Sequence, residues 1–339
     1  MDYNVGETEL LWKKGRCKLN IATIGSGKIV EEMLQAIESL QDVQCVAAFS
    51  RTKDKAQRLA DRYDIAKIYT NLEEMLSDSE IDTIYIASPN SLHAEQARLS
   101  MEYGKNVICE KPFTSSHEEA KALFSLAKEK EVFLFEAIPT LHLPNYQLIK
   151  EHLDSLGPIK LVQCNYSQYS SRYDQLKNGE VTNIFDPKFA GGALADINIY
   201  NLHFVLNLFG KPEKVNYSAN QHSNGIDTSG IAVLSYPTFQ ASCVGAKDTT
   251  GVNFVMIQGE EGYLYVSQGA NGVQKVTLKK KDEEIVISVQ QDDPRLTYEF
   301  RRFQEIITNE DYVARDQLLE HSLHVASVME AARNQIGLD

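Results

Sequence analysis

A short apolar run, Leu19 to Ile24, stops at Gly25-Ser26-Gly27, and an amphipathic stretch, IVEEMLQAIESL, begins at once after it. That order reads as strand, glycine turn, helix. Such a turn aims free backbone N–H groups and the positive end of the helix at one point, and the missing side chains let an anion come close. A pyrophosphate suits that place, cradled by Gly25, Ser26, Gly27, Lys28 and Ile29. Val30 stands where the GxGxxG pattern has its third glycine, which predicts a slightly wider spacing between helix and strand. A second apolar run, Val43 to Phe49, follows at the distance a βαβ unit needs. The chain is therefore expected to open with a dinucleotide-binding α/β domain.

The end of the second strand bears on which dinucleotide. Selection of NAD calls for Asp or Glu there, to hold the ribose 2′-hydroxyl. This chain has Ser50 and Arg51, with Lys53 and Lys55 close by, which fits a 2′-phosphate and hence NADP, with NAD still possible. The competing reading of this loop is a solvated basic surface. The chain as a whole is acidic, with 34 Lys and Arg against 47 Asp and Glu and a net charge of −13. That balance weighs against nucleic acid or an anionic membrane as partner and requires local positive charge for an anionic cofactor.

At 339 residues two domains are expected. No apolar run is long enough for a membrane span, the N-terminus lacks a signal-peptide core, and a cytoplasmic protein is the expectation. The five cysteines are scattered with no CxxC pair, so neither a metal site nor a disulfide framework is expected. Residues 1–17 precede the first strand as an extension with no evident partner.

Strand and helix patterns alternate through residues 18–137, predicting a parallel sheet covered on both faces. A strand at Thr83 to Ala87 runs into Ser88-Pro89-Asn90 with a helix from about Ser91, and Asn106 to Cys109 ends in Glu110-Lys111-Pro112. Ligands in such sheets collect beyond the carboxyl ends of the strands, where Ser88, Asn90, Glu110 and Lys111 lie. Val132 to Phe135 closes the domain. Residues 138–339 read differently. A helix spans Leu143 to Leu156, and eight strand-like segments between Lys160 and Val289 are separated mostly by turns, which predicts an α+β domain with a large, mostly antiparallel open sheet. One helix, Gly192 to Phe209, interrupts it, and the tail is helical at Tyr298 to Asn309 and Arg315 to Ile336.

The glycine turn, SPNSLH at Ser88 to His93, EKP at Glu110 to Pro112 and FDPKFAGGALADINIY at Phe185 to Tyr200 together resemble the Gfo/Idh/MocA oxidoreductases. The resemblance runs from Lys18 to the C-terminus with the motifs in order. It implies a Rossmann domain, a second domain whose open sheet meets a partner subunit in a homodimer or homotetramer, and oxidation of sugars, polyols or related diols with a nicotinamide cofactor. Many members have His four residues after the Asp of the second-domain motif. Here Asp196 is followed by Tyr200, as in the branch with glucose–fructose oxidoreductase, xylose dehydrogenases and dimeric dihydrodiol dehydrogenase. Asn198 replaces a usual Gly, and Leu141 a common Arg. Relatives of this fold also include NAD-assisted glycosidases, expected to carry the histidine variant, and cofactor-binding sensors, expected to lack the lysine or tyrosine.

Hydride transfer needs a carbinol or carbonyl carbon held against the nicotinamide and a group that handles the hydroxyl proton. Asp196 and Tyr200, at i and i+4, are expected to share one helix face. A free tyrosine has a pKa of about 10, and a neighbouring ammonium favours its phenolate. The catalytic candidates are thus Tyr200 as acid/base, Lys111 polarising the substrate oxygen and Asp196 orienting substrate or Lys111. The assignment in which Lys111 carries the proton stays open. His203, one turn on, is read as a packing residue before a substrate contact. His93 is open between the nicotinamide end, which the resemblance implies, and packing of its own helix.

Overall fold

The structure, a computed structural model, describes residues 18–281 and 283–338, and the extension expected at residues 1–17 lies outside them. Six strands, β1 (Leu19–Ile24), β2 (Val43–Phe49), β3 (Lys67–Tyr69), β4 (Thr83–Ile86), β5 (Asn106–Glu110) and β6 (Leu134–Ala137), form a sheet in the order β3-β2-β1-β4-β5-β6, with every pairing parallel. The order reverses between β1 and β4, which opens a crevice at their carboxyl ends. Helices α1 (Lys28–Ile37), α2 (Lys53–Tyr63), α3 (Leu72–Leu76), α4 (His93–Glu102) and α5 (His117–Glu129) connect the strands. Ser116 caps α5 in a reciprocal box with Glu119, satisfying two of the N–H groups that a helix start leaves free.

The second unit holds α6 (Pro144–Leu153), α7 (Ser171–Lys177) and α8 (Ile199–Phe209) and eight strands, β7 (Ile159–Ser167), β8 (Lys214–Gln221), β9 (Asp227–Ser235), β10 (Gln240–Ala246), β11 (Phe254–Gly259), β12 (Gly262–Ser267), β13 (Lys275–Lys280) and β14 (Glu283–Val286). Their order is β14-β13-β12-β11-β7-β10-β9-β8. Among the described residues of this sheet only β7 and β10 pair in parallel, with Cys164 opposite Cys243. The expected hairpin at Glu260-Glu261 joins β11 to β12 with Gly259 opposite Gly262. One face carries Val162, Cys164, Ala232, Leu234, Val255, Ile257 and Leu264 into a core shared with Tyr146, Leu202, Val205 and Leu206. Alternation puts Leu161, Ile231, Val244, Phe254, Met256 and Tyr265 on the other face, partly or fully exposed.

Two helices close the chain, α9 (Arg295–Thr308) and α10 (Tyr312–Gln335). The apolar stripe of α9, Leu296, Phe300, Phe303 and Ile306, lies in the core of the first sheet with Ile21, Val30, Met33, Tyr85 and Phe135. The division at residue 137 therefore has an exception, because the chain returns to its first unit after building the second. Helical periodicity reveals such a stripe but not the sheet that receives it. The helix expected over Gly192 to Phe209 begins instead with a wider π-type turn, Leu194–Asn198, before α8. No described helix is long and apolar enough to cross a membrane, and the described cysteines are free thiols.

Candidate active site

The crevice at the β1 and β4 ends is a cleft of about 1220 Å³. Gly25, Ser26, Gly27, Ser50, Arg51 and Ser88 line it, together with Lys55, Arg58, Arg62, Leu92, Gln96 and Arg172. The two turn glycines do different jobs. Gly25 has φ +119°, and a β-carbon on it would stand 2.6 Å from the carbonyl oxygen of Ala87, so it lets β1 and β4 ends approach. A β-carbon on Gly27 would meet nothing within 4 Å and would project into open space at the start of α1. The first N–H groups of a helix have no acceptors within it. A bare glycine at such an end, facing a cleft with basic walls, fits the phosphates of a dinucleotide.

Several residues expected around the cofactor do not line this cleft. Lys28 points along α1 to Glu32, 3.6 Å away, and is 90% exposed. Ile29 packs partly buried against the first-domain core. Asn90 donates from its amide to the carbonyl of Ala190, 3.1 Å away, and so ties the first unit to the second. His93 is buried, with Nδ1 2.9 Å from the Pro112 carbonyl and Nε2 2.9 Å from that of Ser88. Burial pulls its pKa down. Of its two open readings the geometry fits packing, since the ring clips together the segments that follow β4 and β5. Glu110 is buried, accepting the Tyr85 hydroxyl at 2.5 Å, and burial raises its pKa.

Past the cleft, the chain brings Lys111, Asp196 and Tyr200 together. Lys111 leaves the end of β5, and its Nζ donates to the Asp196 carbonyl at 2.8 Å and lies 3.5 Å from Asp196 Oδ1. The same ammonium stands over the Tyr200 ring, 4.9 Å from its centroid. It therefore faces the π surface, a favourable place for a cation. Burial works against the Lys111 charge, but Tyr200, Asp196 and Glu110 more than offset it and hold the pKa above its usual value. The π-type turn bears on this meeting, because Asp196 lies inside it and not on a regular helix face. Asp227 accepts the Leu194 N–H at 2.7 Å and sits directly against Gly192, where a β-carbon has no room.

Two cations that sequence reasoning did not name complete this end. Lys247, just past β10, pairs with Asp196 Oδ2, so one carboxylate stands between two lysines. Burial alone would raise the Asp196 pKa, but Lys111 and Lys247 pull it down to about 2. Arg295, at the start of α9, donates to Asn271 at 2.5 Å, and Asn271 donates to the Tyr166 hydroxyl at 2.8 Å. Tyr166 in turn meets Tyr200 edge-on, with centroids 5.8 Å apart. Burial opposes the Arg295 charge, and Tyr200 beside it raises its pKa on balance. One turn along α9, Glu299 is buried with both oxygens unpartnered among the described residues, and burial keeps its carboxyl protonated well above the usual range.

The departures noted in the sequence fall outside this centre. Asn198 is buried, donates to the Cys243 carbonyl at 2.9 Å, and packs against Gly245, whose bare α-carbon makes the room. Leu141 is buried in the second core. His203 is a packing residue, with Nδ1 2.9 Å from His321 Nε2 and Nε2 3.5 Å from Glu136. Of the missed residues, Arg58 and Arg62 carried a signal: with Lys55, already singled out, their i, i+3, i+7 spacing makes a basic stripe on the helix after β2. Lys247, Arg295 and Arg172 carried none.

Comparison with known proteins covers most of the chain. Residues 19–138 match the model of the oxidoreductase family with an NAD-binding Rossmann fold, and residues 146–265 match the GFO/IDH/MocA C-terminal domain. The chain is 35% identical over 321 residues to the scyllo-inositol 2-dehydrogenase (NADP(+)) IolU of Bacillus subtilis, covering 94% of this chain and 98% of that one. It is 26% identical to a trans-1,2-dihydrobenzene-1,2-diol dehydrogenase of Xenopus tropicalis, over 92% and 96% of the two chains. Among solved structures, a 3-ketoreductase from Actinomadura kijaniata in complex with NADP and TDP-benzene superposes with a TM-score of 0.81 at 22% identity, covering 94% and 97%.

Proposed function

The chain belongs to the Gfo/Idh/MocA oxidoreductases, and from that premise we propose that it is an NADP-dependent dehydrogenase or reductase acting on a CH–OH group of a cyclitol, sugar or related diol. The observation that carries this reading is the meeting of Lys111, Asp196 and Tyr200 just beyond a basic, glycine-floored cleft. The names of the relatives support the cofactor and the substrate class, since inositol and diol dehydrogenases are among them.

When bound, the nicotinamide exchanges a hydride with the carbinol carbon of the substrate. Gly25 to Gly27 and Ser88 would hold the phosphates, and Lys111 and Tyr200 would serve the reacting carbon. Tyr200 is the acid/base at the hydroxyl. Lys111, buried and charged, stabilises negative charge on the phenol or on the substrate oxygen. Lys247 shares the Asp196 carboxylate, so that Asp196 does not neutralise Lys111 alone. Tyr166, tied through Asn271 to Arg295, packs edge-on against the Tyr200 ring and helps to fix it.

The partly apolar outer face of the second sheet supports a homo-oligomer built through it, because a wide uncovered sheet face of this kind is usually an interface. Free thiols and a net charge of −13 accord with a cytoplasmic enzyme. The test is a screen of inositols, aldoses and vicinal diols with NADP and NAD, read as NADPH or NADH absorbance. Turnover on members of this class with NADP is expected, whereas tight NADP binding with no turnover on any of them would overturn the catalytic reading. Sedimentation at micromolar protein should show a dimer or larger, and a monomer there would remove the interface.

A further inference from the structure

Arg172 stands in the wall of the cofactor cleft, yet the second unit supplies it. It lies at the start of α7, a short helix on a firm base. Leu176 is buried with Phe185, Ile226 and Leu338, and Tyr173 packs on Phe185 with centroids 5.9 Å apart. Just before the helix, the Ser170 N–H donates to the Lys247 carbonyl at 2.9 Å. The backbone beneath Arg172 is thus held by the same residue that pairs with Asp196 at the catalytic end. The side chain itself is exposed.

The charge around the cleft exceeds what the glycine turn needs. Arg62 is paired with Glu31 at 2.8 Å. Among the described residues, Arg51, Lys55, Arg58 and Arg172 have no carboxylate within ion-pair distance, so four uncompensated cations face one space. A pyrophosphate carries a charge of about −2, and a phosphomonoester adds about −1.5 to −2 at neutral pH. Four cations match both groups together, while a dinucleotide without the phosphomonoester would leave about two of them facing each other unneutralised.

We propose that Arg172 reaches across from the second domain to the 2′-phosphate of NADP, so that both domains read the cofactor and its binding draws them together. The inference rests on the NADP reading above. It places a specificity determinant on a segment outside the Rossmann unit, one that reaches the catalytic lysine pair through the Ser170 to Lys247 hydrogen bond.

Calorimetric titration of NADP, NAD and 2′,5′-ADP into wild type, Arg172→Gln and Arg172→Lys tests it. Arg172→Gln should weaken NADP and 2′,5′-ADP about tenfold, leave NAD within about twofold, and keep the wild-type melting temperature; the lysine variant should recover most of the loss. Equal weakening of NADP and NAD, or no change in either, overturns the role of Arg172. If wild type binds NAD as tightly as NADP, the NADP reading itself falls. If wild type prefers NADP and Arg172→Gln keeps that preference, only this inference falls.

Discussion

The two ends of the ligand crevice are built on opposite principles. At the phosphate end, Arg51, Lys55, Arg58 and Arg172 are exposed and, among the described residues, uncompensated, and most of the wall comes from one βαβ stretch. At the hydride end, Lys111, Asp196 and Lys247 are largely buried and interlocked, with side chains 12%, 28% and 9% exposed, and they come from β5, the π-type turn and the end of β10. The difference follows from the work each does. Capturing an anion needs charges that water can leave and a ligand can reach. Moving a proton needs charges held in place in a poorly solvated site, where their effect on a neighbouring group is strong.

The largest effect should come from cutting the buried end alone. Lys111→Met and Tyr200→Phe are each expected to lower kcat on the best substrate by about 10² to 10⁴, the usual worth of acid/base assistance, while the Kd for NADP stays within about threefold. A rise in KM with kcat unchanged would move these residues from chemistry to ground-state binding and erase the contrast between the two ends.

The next effect is on stability and is specific to the buried carboxylate. The Asp196 pKa is lowered from an ordinary 3.8 to about 2 in the folded protein. Its contribution is therefore complete above about pH 4 and is lost as the pH falls toward 2, and it amounts to something on the order of 2 kcal/mol. Asp196→Asn should be less stable than wild type to urea at pH 7 by about that amount, with the gap narrowing steadily below pH 4. A gap independent of pH would mean that the ion triad does not hold the carboxylate charged.

The smallest effect separates the two glycines of the open end. Gly27→Ala should keep its melting temperature and weaken NADP by about tenfold, since the methyl would occupy the space a phosphate needs. Gly25→Ala should lose stability by about 1 to 3 kcal/mol, from its left-handed backbone and its collision with Ala87. If both glycines behaved alike, the division of labour inside the turn would be wrong.

How much of this was legible beforehand follows the same division. The strand, turn and helix at Leu19 to Ile37, the basic arrival at Arg51 and the strand-end lysine at Lys111 all lie in local patterns, because a period of two or 3.6 residues and a glycine's missing side chain are properties of a few neighbouring positions. Seven of the eight strands of the second sheet were placed to within about two residues for the same reason, and the last, expected to reach Val289, stops at Val286. What the tertiary structure alone decided is which distant groups meet. It set Lys247 against Asp196, returned α9 to the first core, turned His93 and Glu110 away from the cleft, and brought Arg172 to it. No local pattern announces such meetings, since a lysine that will be buried against a carboxylate fifty residues away looks, in sequence, like any solvated lysine. Its partner is chosen by how the sheets pack and not by its neighbours along the chain.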